Sequence, residues 1–127
     1  MKLLRLRGRK ICDRLIRHGN SWKGRHMHVR WLPGHPRHPA ARHDSEGIYV
    51  GTLASSKLDK SAVKRNRMRR RCREALRMVI IDIPQLSLTL QLLIAPRSSS
   101  LSAPFPELQQ DIRNFLSSRS HGRHTEA

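Results

Sequence analysis

Residues 61–80 read SAVKRNRMRRRCREALRMVI, the only long segment with helical periodicity and the densest in charge. At 3.6 residues per turn, Met68, Cys72, Ala75, Leu76 and Val79 fall in one apolar stripe, with Ala62 and Ile80 along its edge. Arg67, Arg70, Arg71, Glu74 and Arg77 point the opposite way, and Arg65, Arg69 and Arg73 form a row on one margin of the stripe. A charged helix face is ordinarily just a solvated face. Here Glu74 is the only acid between Ser61 and Met78, and like charges four residues apart repel by a few tenths of a kcal/mol per pair. A polyanion laid along the row would offset that repulsion.

Upstream, residues 1–8 read as a basic arm with little to bury. Residues 9–18 form a short helix through Ile11, Cys12, Leu15 and Ile16, stopped by Gly19, with Arg9, Lys10, Arg14 and Arg17 on its polar face. The period then changes to two. Residues 25–32 place Met27, Val29 and Trp31 on one strand face and His26, His28, Arg30 and Leu32 on the other. Pro33, Gly34, Pro36 and Pro39 break regular structure, leaving 33–46 as a Pro/His-rich loop. A second strand covers 48–54, and 55–60 connects it to the basic helix. Downstream of that helix, 88–95 (LTLQLLIA) is apolar enough for a buried strand. Residues 98–102 form a polar loop and 105–116 an amphipathic helix through Leu108, Ile112, Phe115 and Leu116, before a disordered polar tail. The expected order is helix, strand, strand, helix, strand, helix. It describes a small α+β protein, a two-layer α/β sandwich, with an arm (1–8), a single domain (9–117) and a tail (118–127).

A chain of 127 residues with 37% hydrophobic content supports one modest core. Its formal charge of +17 exceeds what solubility needs and makes nucleic acid the leading partner. A membrane is not expected, since no apolar run approaches the roughly 20 residues needed to span one. An apolar signal segment is missing near the start, and two cysteines, Cys12 and Cys72, make no disulfide framework. A reducing cytoplasm is the expected setting.

Protein-borne catalysis finds little support. His26, His28, His35, His38 and His43 are dense, but no cysteine or carboxylate lies at matching ligand spacing, so no metal site is expected. Both cysteines sit on apolar helix faces, where a thiol acts as a small hydrophobe. Asp13, Asp59, Glu74, Asp82 and Asp111 are scattered singly, offering neither an acid–base pair nor a magnesium cage.

Residues 65–74, RNRMRRRCRE, resemble the signature helix of the bacterial ribonuclease P protein subunit, which runs roughly R-N-R-[IM]-[KR]-R-x-x-R-E. Residues 51–57 resemble the strand and lysine turn that precede that helix in the family. Residues 14–25 resemble its first helix and the entry to its first strand, and 92–97 and 108–116 its last strand and last helix. The resemblance runs from about Leu4 to Ser118. It implies a left-handed strand-helix-strand crossover, an exception to the usual hand and similar to the second domain of a small-subunit ribosomal protein. It also implies a role in assisting a catalytic RNA that cleaves the 5′ leader from precursor tRNA, with Mg2+ held by the RNA and hydrolysis performed there. No protein partner is required.

On that resemblance, Lys57, Lys60, Arg65, Asn66, Arg67, Arg69, Arg70 and Arg73 contact the catalytic RNA. Cys12, Ile16, His28, Arg30 and Lys57 border a cleft for the single-stranded leader. Cys12 and Ile16 stand where the family commonly has Phe, and Arg30 where it often has an aromatic residue. Ser56 replaces the first lysine of a pair, and Arg71 a usually apolar residue. Base stacking contributes about 1–3 kcal/mol per base, so leader binding is expected to rest on charge instead. Three other readings are a structural RNA-binding protein of ribosomal type, a DNA-binding regulator and a self-sufficient nuclease. The second needs a helix and tight turn before the basic helix, where a strand is expected.

Overall fold

The structure is a computed structural model that describes residues 2–36, 47–83 and 89–125, with side chains of the last helix to residue 118. Its elements run β1 (Leu3–Arg5), α1 (Arg9–His18), β2 (Asn20–Lys23), β3 (Met27–Pro33), β4 (Ile48–Thr52), α2 (Ala62–Ile81), β5 (Leu90–Pro96) and α3 (Phe105–Thr125), with a 3-10 turn at Ser98–Leu101. The strands form one sheet in the order β1-β4-β5-β3-β2. β4 and β5 are parallel neighbours joined through α2, which gives the expected strand-helix-strand crossover, while β3 pairs antiparallel with both β5 and β2.

Alternation decides which side of each strand meets which helix. Met27, Val29 and Trp31 of β3, Ile48 and Val50 of β4, and Leu90, Leu92 and Ile94 of β5 share one face. They are buried there with Cys72, Ala75, Leu76 and Val79 of α2 and Leu108, Ile112, Phe115 and Leu116 of α3. The α2 stripe is wholly buried from Met68 to Val79, as its periodicity requires, whereas Ala62 is exposed. Trp22 and Trp31 meet the Phe115 ring edge-on, at centroid distances of 5.6 and 6.5 Å. α1 lies on the opposite face, where Ile11 and Leu15 bury a smaller cluster with Leu6, Tyr49 and Leu93.

Three expectations are corrected. Residues 2–8 do have something to bury: Leu3–Arg5 pairs parallel with Ile48, Tyr49 and Val50, and Leu6 is buried. That pairing is close, since a Cβ on Gly47 would stand 2.4 Å from the Lys2 carbonyl oxygen, and Gly47 has φ +151. Asn20–Lys23 is a further strand, so the sheet has five strands where three were expected. The last helix continues past residue 116 to Thr125, because nothing between Ser117 and Thr125 is a proline and its first turns are held by the core. The expected start of the buried strand at Leu88 and most of the 33–46 loop, with His38 and His43, lie outside the described residues.

Candidate nucleic-acid interface

The site begins in the connection that leads into α2. Asp59 Oδ1 accepts from the Ser61 amide at 2.8 Å, and Ser61 Oγ caps the helix by accepting from the Lys64 amide at 3.3 Å. Arg65 donates to the carbonyls of Asp59 (2.8 Å) and Lys60 (3.2 Å), and Arg69 donates to the buried Ala54 carbonyl at 2.8 Å. Arg73 reaches Thr52 Oγ1 at 3.4 Å. The marginal row of arginines thus clamps the turn between β4 and α2 against the helix. That turn leaves Lys57 and Lys60 exposed.

Arg67 and Arg70 are different. Neither makes a hydrogen bond or ion pair among the described residues, and both are exposed. Arg70 and Arg73 form a ridge between two shallow depressions. One is lined by Val63, Asn66 and Arg69, the other by Arg67, Arg71, Glu74 and Phe105. Asn66 Oδ1 accepts from Arg69 at 2.7 Å, which turns its amide NH2 outward as a spare donor. Glu74 is held by Arg77, whose hydrogen bond keeps its carboxyl pKa below the usual range and whose positive charge offsets the carboxylate's repulsion of an incoming phosphate.

Arg71 corrects its expected outward direction. Its guanidinium donates to the Ser100 and Ala103 carbonyls, closing the 3-10 turn onto α2. The helical wheel missed this because a long side chain can curl toward a segment some thirty residues further along the chain.

The α1 face of the sheet carries the second group. Arg30 donates to the Ile16 carbonyl at 3.2 Å, which joins two of the expected cleft residues. Ile16 is 39% exposed, and Cys12 is half-buried with its thiol pKa raised, chiefly by burial and secondarily by Asp13. His28 meets Ser21 Oγ across the β2–β3 pair. Burial, then Arg30, Lys23 and Arg97, lower the pKa of its imidazole. Lys23 was missed from the sequence because Asn20–Lys23 was not recognised as a strand, and Arg97 because it comes near His28 only through the long-range β3–β5 pairing. Lys57 makes no hydrogen bond or ion pair among the described residues. Tyr49, the ring on this face, is buried beneath α1, so the surface beside Arg30 offers charge and hydrogen bonds without an open aromatic platform.

His26 and His28 do not share a face. His26 is buried on the α3 side, with Nδ1 2.9 Å from Ser99 Oγ and Nε2 2.9 Å from Glu107 Oε1, while its amide donates to Asp111 at 2.7 Å. The turn before β3 swings it away from His28, and it locks β3 to α3. Cys72 is buried, its thiol pushed up to about 11 by burial, which suits packing and not nucleophilic attack.

A mixed sheet with a capped crossover helix defines an α+β protein whose exposed arginine ridge has the charge to suit a polyanion. The chain matches the family model described as Ribonuclease P over residues 1–119. It is 35% identical over 115 residues to the ribonuclease P protein component of Thermus thermophilus, covering 91% of this chain and 59% of that protein. The corresponding protein of a Synechococcus species is 34% identical over 114 residues, covering 88% and 78%. In fold, the chain is similar to the solved RNase P protein of Thermotoga maritima, with TM-score 0.66, 18% identity and coverage of 88% and 94%. The Staphylococcus aureus protein gives TM-score 0.63, 17% identity and coverage of 91% and 94%. The chain therefore belongs to the ribonuclease P protein family. It spans about three fifths of the length of the Thermus relatives.

Proposed function

We propose that this chain is the RNA-binding subunit of ribonuclease P, assisting a catalytic RNA that removes the 5′ leader from precursor tRNA in the cytoplasm. The observation that carries the reading is the division of labour on α2. Arg65 and Arg69 build the turn, while Arg67 and Arg70 remain exposed without a protein partner among the described residues. Together with Asn66, Arg73, Lys57 and Lys60, they offer a rigid cationic surface to the phosphates of the catalytic RNA. Family membership supports the RNA partner.

Magnesium ions held by that RNA would supply the hydrolytic chemistry. Among the described residues, the carboxylates fit a magnesium cage poorly. Glu74 is engaged by Arg77, Asp82 by Arg113, Glu107 by Arg25 and His26, and Asp111 by backbone amides of Arg25 and His26. The part left to the chain is to bind and orient. The α1 face, with Cys12, Ile16, His28, Arg30 and Lys57, is the proposed seat of the single-stranded leader, held mainly by charge.

Reconstitution with a bacterial catalytic RNA at low magnesium tests the assignment. The protein is expected to stimulate precursor-tRNA cleavage, to cleave nothing alone, and to lose stimulation with a flatter salt dependence in Arg67→Ala/Arg70→Ala. Cleavage by the protein alone, or no stimulation, would overturn it. Binding to structured RNA without any effect on processing would favour the ribosomal-type reading.

A further inference from the structure

The outer face of α1 is a second cationic surface that neither the α2 ridge nor the leader cleft includes. Lys10, Asp13, Arg14, Arg17 and His18 line one shallow recess there, all exposed. Among the described residues, none of Lys10, Arg14, Arg17 and His18 makes a hydrogen bond or an ion pair. This contrasts with α2, where Arg65, Arg69, Arg71 and Arg77 are all engaged by the protein. The four side chains are therefore uncommitted, and Lys10 and Arg14, four residues apart, repel each other on the same side of a ten-residue helix. With no acid in the first turn and no side-chain cap on Gly8, Arg9 and Lys10 also face the positive end of the helix dipole. An external anion relieves both costs.

We infer that this face of α1 binds the phosphate backbone of double-helical RNA, separately from the catalytic-RNA ridge on α2 and the single-strand cleft on the opposite margin of α1. The inference rests on the RNA-binding reading given above. Shape selects the duplex. Seven residues at about 1.5 Å each place Lys10 and Arg17 about 10 Å apart along one side of the helix. A rigid row of cations at fixed spacing meets the regularly placed phosphates of a double helix without reordering them, and duplex RNA is recognised mainly through shape and phosphate contacts. A lipid surface fits less well. An interfacial helix inserts a broad apolar face, whereas in α1 Ile11 and Leu15 are buried against the sheet and Ile16, beside Arg30, is the one large apolar side chain left exposed.

The test measures binding of a blunt RNA duplex, a single-stranded RNA and phosphatidylglycerol vesicles across a salt series. The proteins are wild type, Lys10→Ala/Arg14→Ala/Arg17→Ala, Arg14→Lys/Arg17→Lys and Arg67→Ala/Arg70→Ala. The triple alanine variant should fold normally, because all three side chains are exposed. It should bind the duplex roughly tenfold more weakly, with a salt slope shallower by about 2–3, while single-strand binding holds. The lysine variant should stay near wild type, since phosphates read point charge, and Asp13→Asn should tighten duplex binding. Unchanged duplex affinity in the triple variant overturns the inference, as does a loss confined to vesicles. If only Arg67→Ala/Arg70→Ala loses duplex binding, the α1 proposal fails while the α2 reading stands. If the wild type binds no RNA, both fall.

Discussion

α1 and α2 are both cationic helices laid on the same sheet, yet they spend their charge in opposite ways. α2 has 20 residues, a Ser61 cap and a buried stripe from Met68 to Ile80, and it engages Arg65, Arg69, Arg71, Arg73 and Arg77 within the protein. α1 has 10 residues, buries only Ile11 and Leu15, and leaves its outward cations without partners among the described residues. Cation count alone therefore does not identify an interface. An arginine that bonds a carbonyl shapes the scaffold, and one that bonds nothing in its own protein is available to a phosphate.

The largest effect that would sharpen this contrast lies in the core. Leu76→Ala, at 0% exposure under α2, should destabilise the protein by about 2–5 kcal/mol in urea unfolding. Ile11→Ala, 6% exposed in the smaller cluster under α1, should cost clearly less. Equal costs would mean that α1 is as deeply anchored as α2. Next comes Arg71→Ala, which strips the Ser100 and Ala103 carbonyls of their donor and should cost about 1–3 kcal/mol of stability. Arg70→Ala should leave the unfolding midpoint nearly unchanged and weaken catalytic-RNA binding. A stability loss in Arg70→Ala matching that in Arg71→Ala would erase the distinction between scaffold and interface arginines.

The smallest expected effect is on α1. Ile16→Phe places a ring at a partly exposed position beside Arg30, where stacking adds about 1 kcal/mol per base at the low end of its range. Titrating precursor and mature tRNA across a salt series should show the wild-type preference for precursor fading as salt rises. The variant should keep that preference to higher salt. A wild-type preference insensitive to salt would contradict a charge-held leader.

The same division explains what could be read from the chain. The α2 stripe and the faces of β3 and β4 were legible, because each is set by a local period that a buried surface enforces. Strand β1 was not, since Leu3–Arg5 is three residues long and its register comes from Ile48–Val50, far away in sequence. Arg71 and His26 escaped for a related reason. Their partners lie 29–32 and 73–81 residues further on, at carbonyls, a hydroxyl and a carboxylate that no local pattern announces. The family motif marked Arg65 through Arg73 as a group, but it could not separate the clamping arginines from the exposed ones.

The two outermost strands have a further consequence for the free chain. β1 and β2 are only three and four residues long, and they carry Arg5 and Lys23 on the open borders of the sheet. A long, flat border would present a ladder of unpaired amides and carbonyls on which another copy could dock. Here each border is too short and too positively charged to template such stacking. The positive charge that discourages a second copy at either border has the same sign that attracts a polyanion.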